Sequence, residues 1–200
     1  MASTFLRSAF LALAIAGSPL CASASVRTAA DSPGNATQQE HASLLNGKIK
    51  FDVPPGFVGM VLPPEPPQNG AAGVTAMAYS NHARQQMILA SEEEPMPDGV
   101  RVQDNDATFL DGVVASFMEQ QQARWQQYRR LGETSIAIEG LGLRRVDAIA
   151  SFDGIPMRVT MLFAGSGTAL ALIRITSKAD DADGHDTLVS TVLDGIRAGR

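Results

Sequence analysis

From Lys48 onward the chain alternates. Lys48-Ile49-Lys50-Phe51-Asp52-Val53 places an apolar side chain at every second position, the pattern of a half-buried strand. Pro54-Pro55-Gly56 ends it in a turn, and Phe57 to Leu62 reads as a second short strand. Val74 to Tyr79 and Gln85 to Ser91 form the arms of a hairpin around Ser80-Asn81-His82-Ala83-Arg84. The period then changes. Phe109, Leu110, Val113, Val114, Phe117, Met118, Trp125 and Tyr128 recur at helical spacing, which predicts one long helix over Ala107 to Arg129. Asp104-Asn105-Asp106 offers its N-cap and Gly132 its stop. Alternation returns over Glu133 to Ile138, resuming after Gly140 and Gly142 as Leu143 to Phe152. It continues over Ile155 to Ala164 and Thr168 to Thr176. A last helix runs from Asp183 or Gly184 to about Arg197, with Leu188, Val189, Val192, Leu193 and Ile196 on one side.

The turns suggest a register. Asp153-Gly154 is a tight hairpin signal, so Phe152 faces Ile155, Ala150 faces Met157, Ala148 faces Val159 and Val146 faces Met161. A turn over Gly165-Ser166-Gly167 then sets Met161 opposite Ala171, Val159 opposite Ile173 and Met157 opposite Ile175, all on one apolar face. The other face gathers Arg145, Asp147, Arg158 and Arg174, with Arg158 across from Arg174 and Asp147 diagonal to Arg158. A register change of one in the second turn dissolves the arginine pair, whereas the apolar face of the first two strands does not depend on it.

The elements predict a single α+β domain over Gly47 to Arg200. It is a twisted antiparallel sheet of about five to six strands, packed with a long central helix and a C-terminal helix. Phe51-Asp52-Val53-Pro54-Pro55-Gly56-Phe57 resembles the F-x-(I/V)-P-x-G-(W/F) opening of the PsbP-like fold families, and the later order of elements is similar to theirs. Among exported bacterial members the chain is most similar to DcrB-like envelope proteins. The resemblance implies a non-catalytic binder or assembly factor, and some relatives accompany secreted toxins. It carries over no catalytic residues.

Ahead of the domain, Arg7, the apolar run Phe10 to Ala16, the breakers Gly17 and Pro19, and the small-x-small site Ala22-Ser23-Ala24 make a secretory signal peptide. Cleavage between Ala24 and Ser25 puts the mature chain in the periplasm or medium. Pro19 and Leu20 fit badly before a lipid-bearing cysteine, so anchoring through Cys21 is not expected. Cleavage removes Cys21, and with it the thiol nucleophile and thiolate ligand. Residues 25–46, rich in Ser, Ala, Asn and Gln, read as a flexible tether, and Pro63 to Gly70 as a stiff exposed connection. A formal charge of −5 argues against nucleic acid and anionic membrane as partners.

Little in the sequence points to catalysis. Of the histidines, His41 falls in the tether, His82 in a turn and His185 at a helix start, all read as exposed, with no metal-ligand spacing. Asp180 to Asp186 is dense in carboxylates but lacks a calcium loop, and helix capping accounts for it. Gly165-Ser166-Gly167 lies between strands, not at a strand-to-helix elbow. Trp125 and Tyr128 read as core. No cofactor motif is present. The expectation is a non-enzymatic protein-binding module, with Arg145, Asp147, Arg158 and Arg174 as its candidate binding residues. Its expected partner is a protein, either an antibacterial effector that this chain neutralises as an immunity protein or an envelope component. A carrier of small anions is the alternative.

Overall fold

The structure, a computed structural model, describes residues 40–63, 73–94, 96, 99–122 and 125–198. The expected signal peptide and its cleavage site, Cys21, and most of the proline loop lie outside them. β1 (His41–Leu44) and β2 (Ile49–Asp52) pair as a two-stranded sheet around a short 3₁₀ turn, Leu45–Gly47. The main sheet is antiparallel and seven-stranded: β3 (Val58–Val61), β4 (Val74–Asn81), β5 (Gln86–Glu93), β6 (Gln126–Ile138), β7 (Leu141–Phe152), β8 (Ile155–Ser166) and β9 (Ala169–Lys178) lie in the order β3-β4-β5-β9-β8-β7-β6. Two helices, α1 (Ala107–Gln122) and α2 (Ala182–Ala198), cover opposite faces.

The α+β domain expected from the pattern is present, its main sheet of seven strands rather than five to six and a two-stranded sheet beside it, with three further revisions. First, β1 falls inside the stretch read as tether. Its Ala42 and Leu44 are buried, as is Leu45 in the turn, and Glu92 Oε2 accepts a hydrogen bond from the Leu45 amide. Two small or lone apolar residues among polar ones give too weak a pattern to reveal a strand.

Second, α1 stops at Gln122, and the rest of the predicted helix belongs to β6. Gln126, Arg129 and Arg130 pair with Ser151, Ile149 and Ala148 of β7. Helix preference among such residues amounts to only about a few tenths of a kcal/mol each. Packing outweighs it: Trp125 stacks among Phe117, Tyr128 and Phe152, and Tyr128 Oη donates to Met118 Sδ. Asp106 is the α1 N-cap, accepting from the Phe109 amide at 2.9 Å.

Third, the β8–β9 register differs by three residues. Phe152↔Ile155 through Val146↔Met161 stand as expected, but Met161 faces Arg174, Val159 faces Thr176 and Arg158 faces Ser177. Gly165 is not a turn residue. It continues β8 opposite Leu170, where a Cβ would lie 2.9 Å from Phe109 of α1, so the position demands glycine for close packing. The turn is made by Gly167 and Thr168, between Ser166 and Ala169. An odd shift turns every β9 side chain to the other face. Since β9 is central and buried on both faces up to Ser177, its apolar run carried no alternation to signal this.

Glu93 is the main local conflict. It is 2% exposed at the end of β5, and neither carboxylate oxygen has a hydrogen-bond partner. Burial pushes its pKa up to about 7. A folded-state pKa above the unfolded value means stability that is lost as pH rises from about 4.5 through 7. Glu93→Gln is therefore expected to be more stable than wild type by about 3 kcal/mol near pH 8, the gain vanishing near pH 4.5. Urea melts at the two pH values check this, and equal stability at the alkaline pH would contradict it.

Candidate functional site

The β7–β8 pairing, anchored by the Asp153-Gly154 turn, brings Arg145, Asp147 and Arg158 to one face of the sheet, under the start of α2. The connection from Lys178 to Ala182 is too short to carry α2 away, so its first turn lies against β8 and β9. There Asp181 caps it, accepting from the Gly184 amide at 3.1 Å. The result is a pocket of about 240 Å³ lined by Leu131, Gly132, Arg145, Asp147, Ala148, Arg158, Val159, His185 and Asp186.

Arg145 donates through Nε to both oxygens of Asp147, at 3.1 and 2.9 Å, leaving its terminal nitrogens available. Arg158 reaches Asp186 through Nη1 at 3.5 Å, a long contact, and its buried Nε has no partner. The two side chains are about a quarter exposed, 27% for Arg145 and 26% for Arg158. Two cations with unspent donors thus meet in one concavity, each only partly satisfied by a carboxylate. Unspent guanidinium donors are suited to pairing with a carboxylate or a similar oxyanion through charge-assisted hydrogen bonds.

Arg174 is not part of it. The register shift turns it to the α1 side, opposite Met161 and Leu89, 9% exposed with Nε unpartnered. Burial lowers its pKa to about 10. The expected Arg158–Arg174 pair does not form, and Asp147 lies across from Thr160.

His185, read as exposed, is 2% exposed beneath the pocket. Its Nδ1 is 2.5 Å from Ser177 Oγ and its Nε2 2.9 Å from Thr160 Oγ1, which is 2.6 Å from Asp147 Oδ1. The ionised Asp147 only accepts, so Thr160 donates to it. The Nε2–H then donates to Thr160, and Nδ1 accepts from Ser177. Burial, the leading cause, holds the imidazole neutral by lowering its pKa to about 4. Asp186 and Asp147 oppose that shift, while Arg158 and Arg145 reinforce it. Hydroxyl, imidazole and carboxylate in a row suggest nucleophile activation, but Ser177 is 0% exposed and sealed from any substrate. The chain's work is to pin α2 to the sheet and hold Asp147 in place.

No protein-family model matches the chain, and no curated protein is similar to it in sequence. Among solved structures, that of cyanobacterial PsbP (CyanoP) from Synechocystis superposes with a TM-score of 0.56 at 12% identity, over 84% of this chain and 96% of that one. The fold is PsbP-like. Protein PA94 of Pseudomonas aeruginosa matches with a TM-score of 0.44 and 14% identity, over 78% of this chain and 93% of its own. Within this PsbP-like frame no described helix is long and apolar enough to cross a membrane. No described His, Cys, Asp and Glu side chains group as a metal site.

Sequence reasoning missed His185, Asp186 and Gly132. Two signals pointed toward them: polar Thr160 and Ser177 inside otherwise apolar strands, which call for a buried partner, and the short β9–α2 connection. Gly132, read as a helix stop, stands directly across from Asp147 on β6, where the missing side chain leaves the pocket open.

Proposed function

We propose that the protein is an exported, non-catalytic module that binds a partner protein stoichiometrically, seating an acidic group of that partner between Arg145 and Arg158. The observation that carries this reading is the convergence of two incompletely paired guanidinium groups on one pocket, in a chain of net negative charge. The sealed Ser177–His185 chain supports binding over catalysis, and the signal peptide supports a periplasmic site of action. A DcrB-like envelope role and neutralisation of an antibacterial effector are the two kinds of partnership this surface serves. An immunity role requires that cells lacking the protein become sensitive to a toxin that it binds.

Titration calorimetry with the partner recovered from periplasmic extract tests the site. Arg145→Gln/Arg158→Gln is expected to weaken binding at least roughly tenfold, with little change in melting temperature, because both side chains are partly solvated. Wild-type affinity is expected to fall as salt rises. Unchanged affinity of the double variant contradicts the proposal. Equally tight binding of free acetate or phosphate marks a small-anion carrier instead.

A further inference from the structure

We propose that the α1 face of the sheet carries a second site, where Arg174 takes the carboxylate of a fatty acid whose chain lies between two separate apolar clusters. The observation is an orphaned cation. Arg174 stands in β9, the middle strand of the seven, and is nine-tenths buried. Its Nε is sealed from solvent without a partner, and among the described residues no carboxylate pairs with it. Leu89 and Met161 lie directly across from it on β5 and β8, and Leu172 and Thr176 flank it on the same face of β9. The Thr176 hydroxyl is also buried and unpartnered. The Ser91 hydroxyl is spent on the Leu172 carbonyl at 3.3 Å. Glu93 shares this face but lies four positions along β5 from Leu89, about 13 Å at strand spacing, too far to pair.

Leaving a buried cation unpaired is costly, and a methionine in the same place would pack without that cost. The two orphaned groups fit one ligand group. The Nε–H and an Nη–H of a guanidinium make a fork for the two oxygens of a carboxylate, and a hydroxyl beside it donates to one of them. The walls specify the rest of the molecule. α1 packs on β7 and β8, and Met161 and Leu172 belong to its apolar cluster. Leu89 belongs to another, with Leu62 and Ala78. Arg174 marks the seam between them. Met161 and Met87, the latter across from Thr176, border that seam with unbranched side chains that yield readily to an alkyl chain. A bare anion makes no use of such walls, and a neutral lipid makes none of the guanidinium. The site lies on the opposite face of the sheet from the Arg145–Arg158 pocket, so the two are tested apart.

The probe is dodecanoate below its micelle-forming concentration, titrated into the purified protein by calorimetry. One dodecanoate is expected to bind per chain. Acetate, the head without the chain, and dodecyltrimethylammonium, the chain with a cationic head, should each bind at least roughly tenfold more weakly. Arg174→Met should weaken dodecanoate binding by a similar factor and raise the melting temperature, because it removes an unpaired charge and keeps the volume. Arg145→Gln/Arg158→Gln should bind dodecanoate as wild type does. In NMR spectra of the wild type, dodecanoate should shift the Arg174 Nε–H and the Met87 and Met161 methyl signals.

No binding of dodecanoate, or equal binding by Arg174→Met, overturns the site. Equal binding of dodecyltrimethylammonium shows unspecific uptake of alkyl chains, and equal binding of acetate shows a site for bare anions; either overturns the ligand class. Loss of dodecanoate binding in the Arg145→Gln/Arg158→Gln variant places the ligand on the other face and overturns the proposal. Should Arg174→Met not fold, the wild-type spectra decide, and binding that leaves the Arg174 Nε–H unmoved counts against it.

Discussion

Ile173→Asp is expected to abolish folding. Ile173 is 1% exposed in the central strand, between Leu162 of β8 and Ala90 of β5, in the cluster that holds Leu188, Val189 and Val192 of α2. Burying an unpaired carboxylate there costs several kcal/mol or more, on the order of a small domain's whole stability of about 5–15 kcal/mol. Thr168→Asp is the control. Thr168 is half-buried in the β8–β9 turn, and its hydroxyl makes only a 3.5 Å contact with Glu94, so the variant should lose no more than about 1 kcal/mol. Urea melts followed by Trp125 fluorescence decide between them. Cooperative unfolding of Ile173→Asp near the wild-type midpoint would contradict the placement of β9.

His185→Ala is expected to cost about 3 kcal/mol at neutral pH. It strips a partner from both Thr160 and Ser177, which are buried, and opens a gap under α2. The pH dependence is the sharper signature. The folded-state pKa of His185 lies near 4, below the ordinary 6.5, so the unfolded chain binds more protons between those values. Wild type therefore loses stability as pH falls from about 6.5 through 4, by up to about 3 kcal/mol. The variant has no such loss, and its deficit should shrink toward acid. A deficit that stays constant from pH 7 to about 4.5 would show that the imidazole is not held neutral. Glu93 titrates with the opposite slope over nearly the same range. The two offset in wild type, and only single variants expose either.

Most of the architecture was legible where one face of an element is wet. The alternation of β2, the hairpin around Ser80 to Arg84 that joins β4 and β5, and the Asp153-Gly154 turn placed those strands, and the β7–β8 pairing followed residue by residue. That pairing alone put Arg145, Asp147 and Arg158 together. Legibility failed where burial is two-sided or competition is close. β9 is apolar toward both helices, so its register rested on a turn assignment, and Gly165 served packing against Phe109 rather than turning. Arg174 was lost to the site for that reason. The Gln-rich end of α1 has helical propensity, yet Trp125 and Tyr128 bury better when the chain reverses into β6. His185 was hidden because a polar residue in a capping turn looks exposed until the short β9–α2 connection is followed in space.

The central claim is that the partner sits at the Arg145–Arg158 pocket. A photo-crosslinking amino acid placed at Leu131, 40% exposed on the pocket rim, tests it in the cell against the same group at Val61, 72% exposed on β3 at the opposite edge of the sheet. A discrete protein adduct is predicted from Leu131 and none from Val61, and Arg145→Gln/Arg158→Gln should abolish it. An adduct from Val61 alone, or a Leu131 adduct that survives the double substitution, would contradict the account.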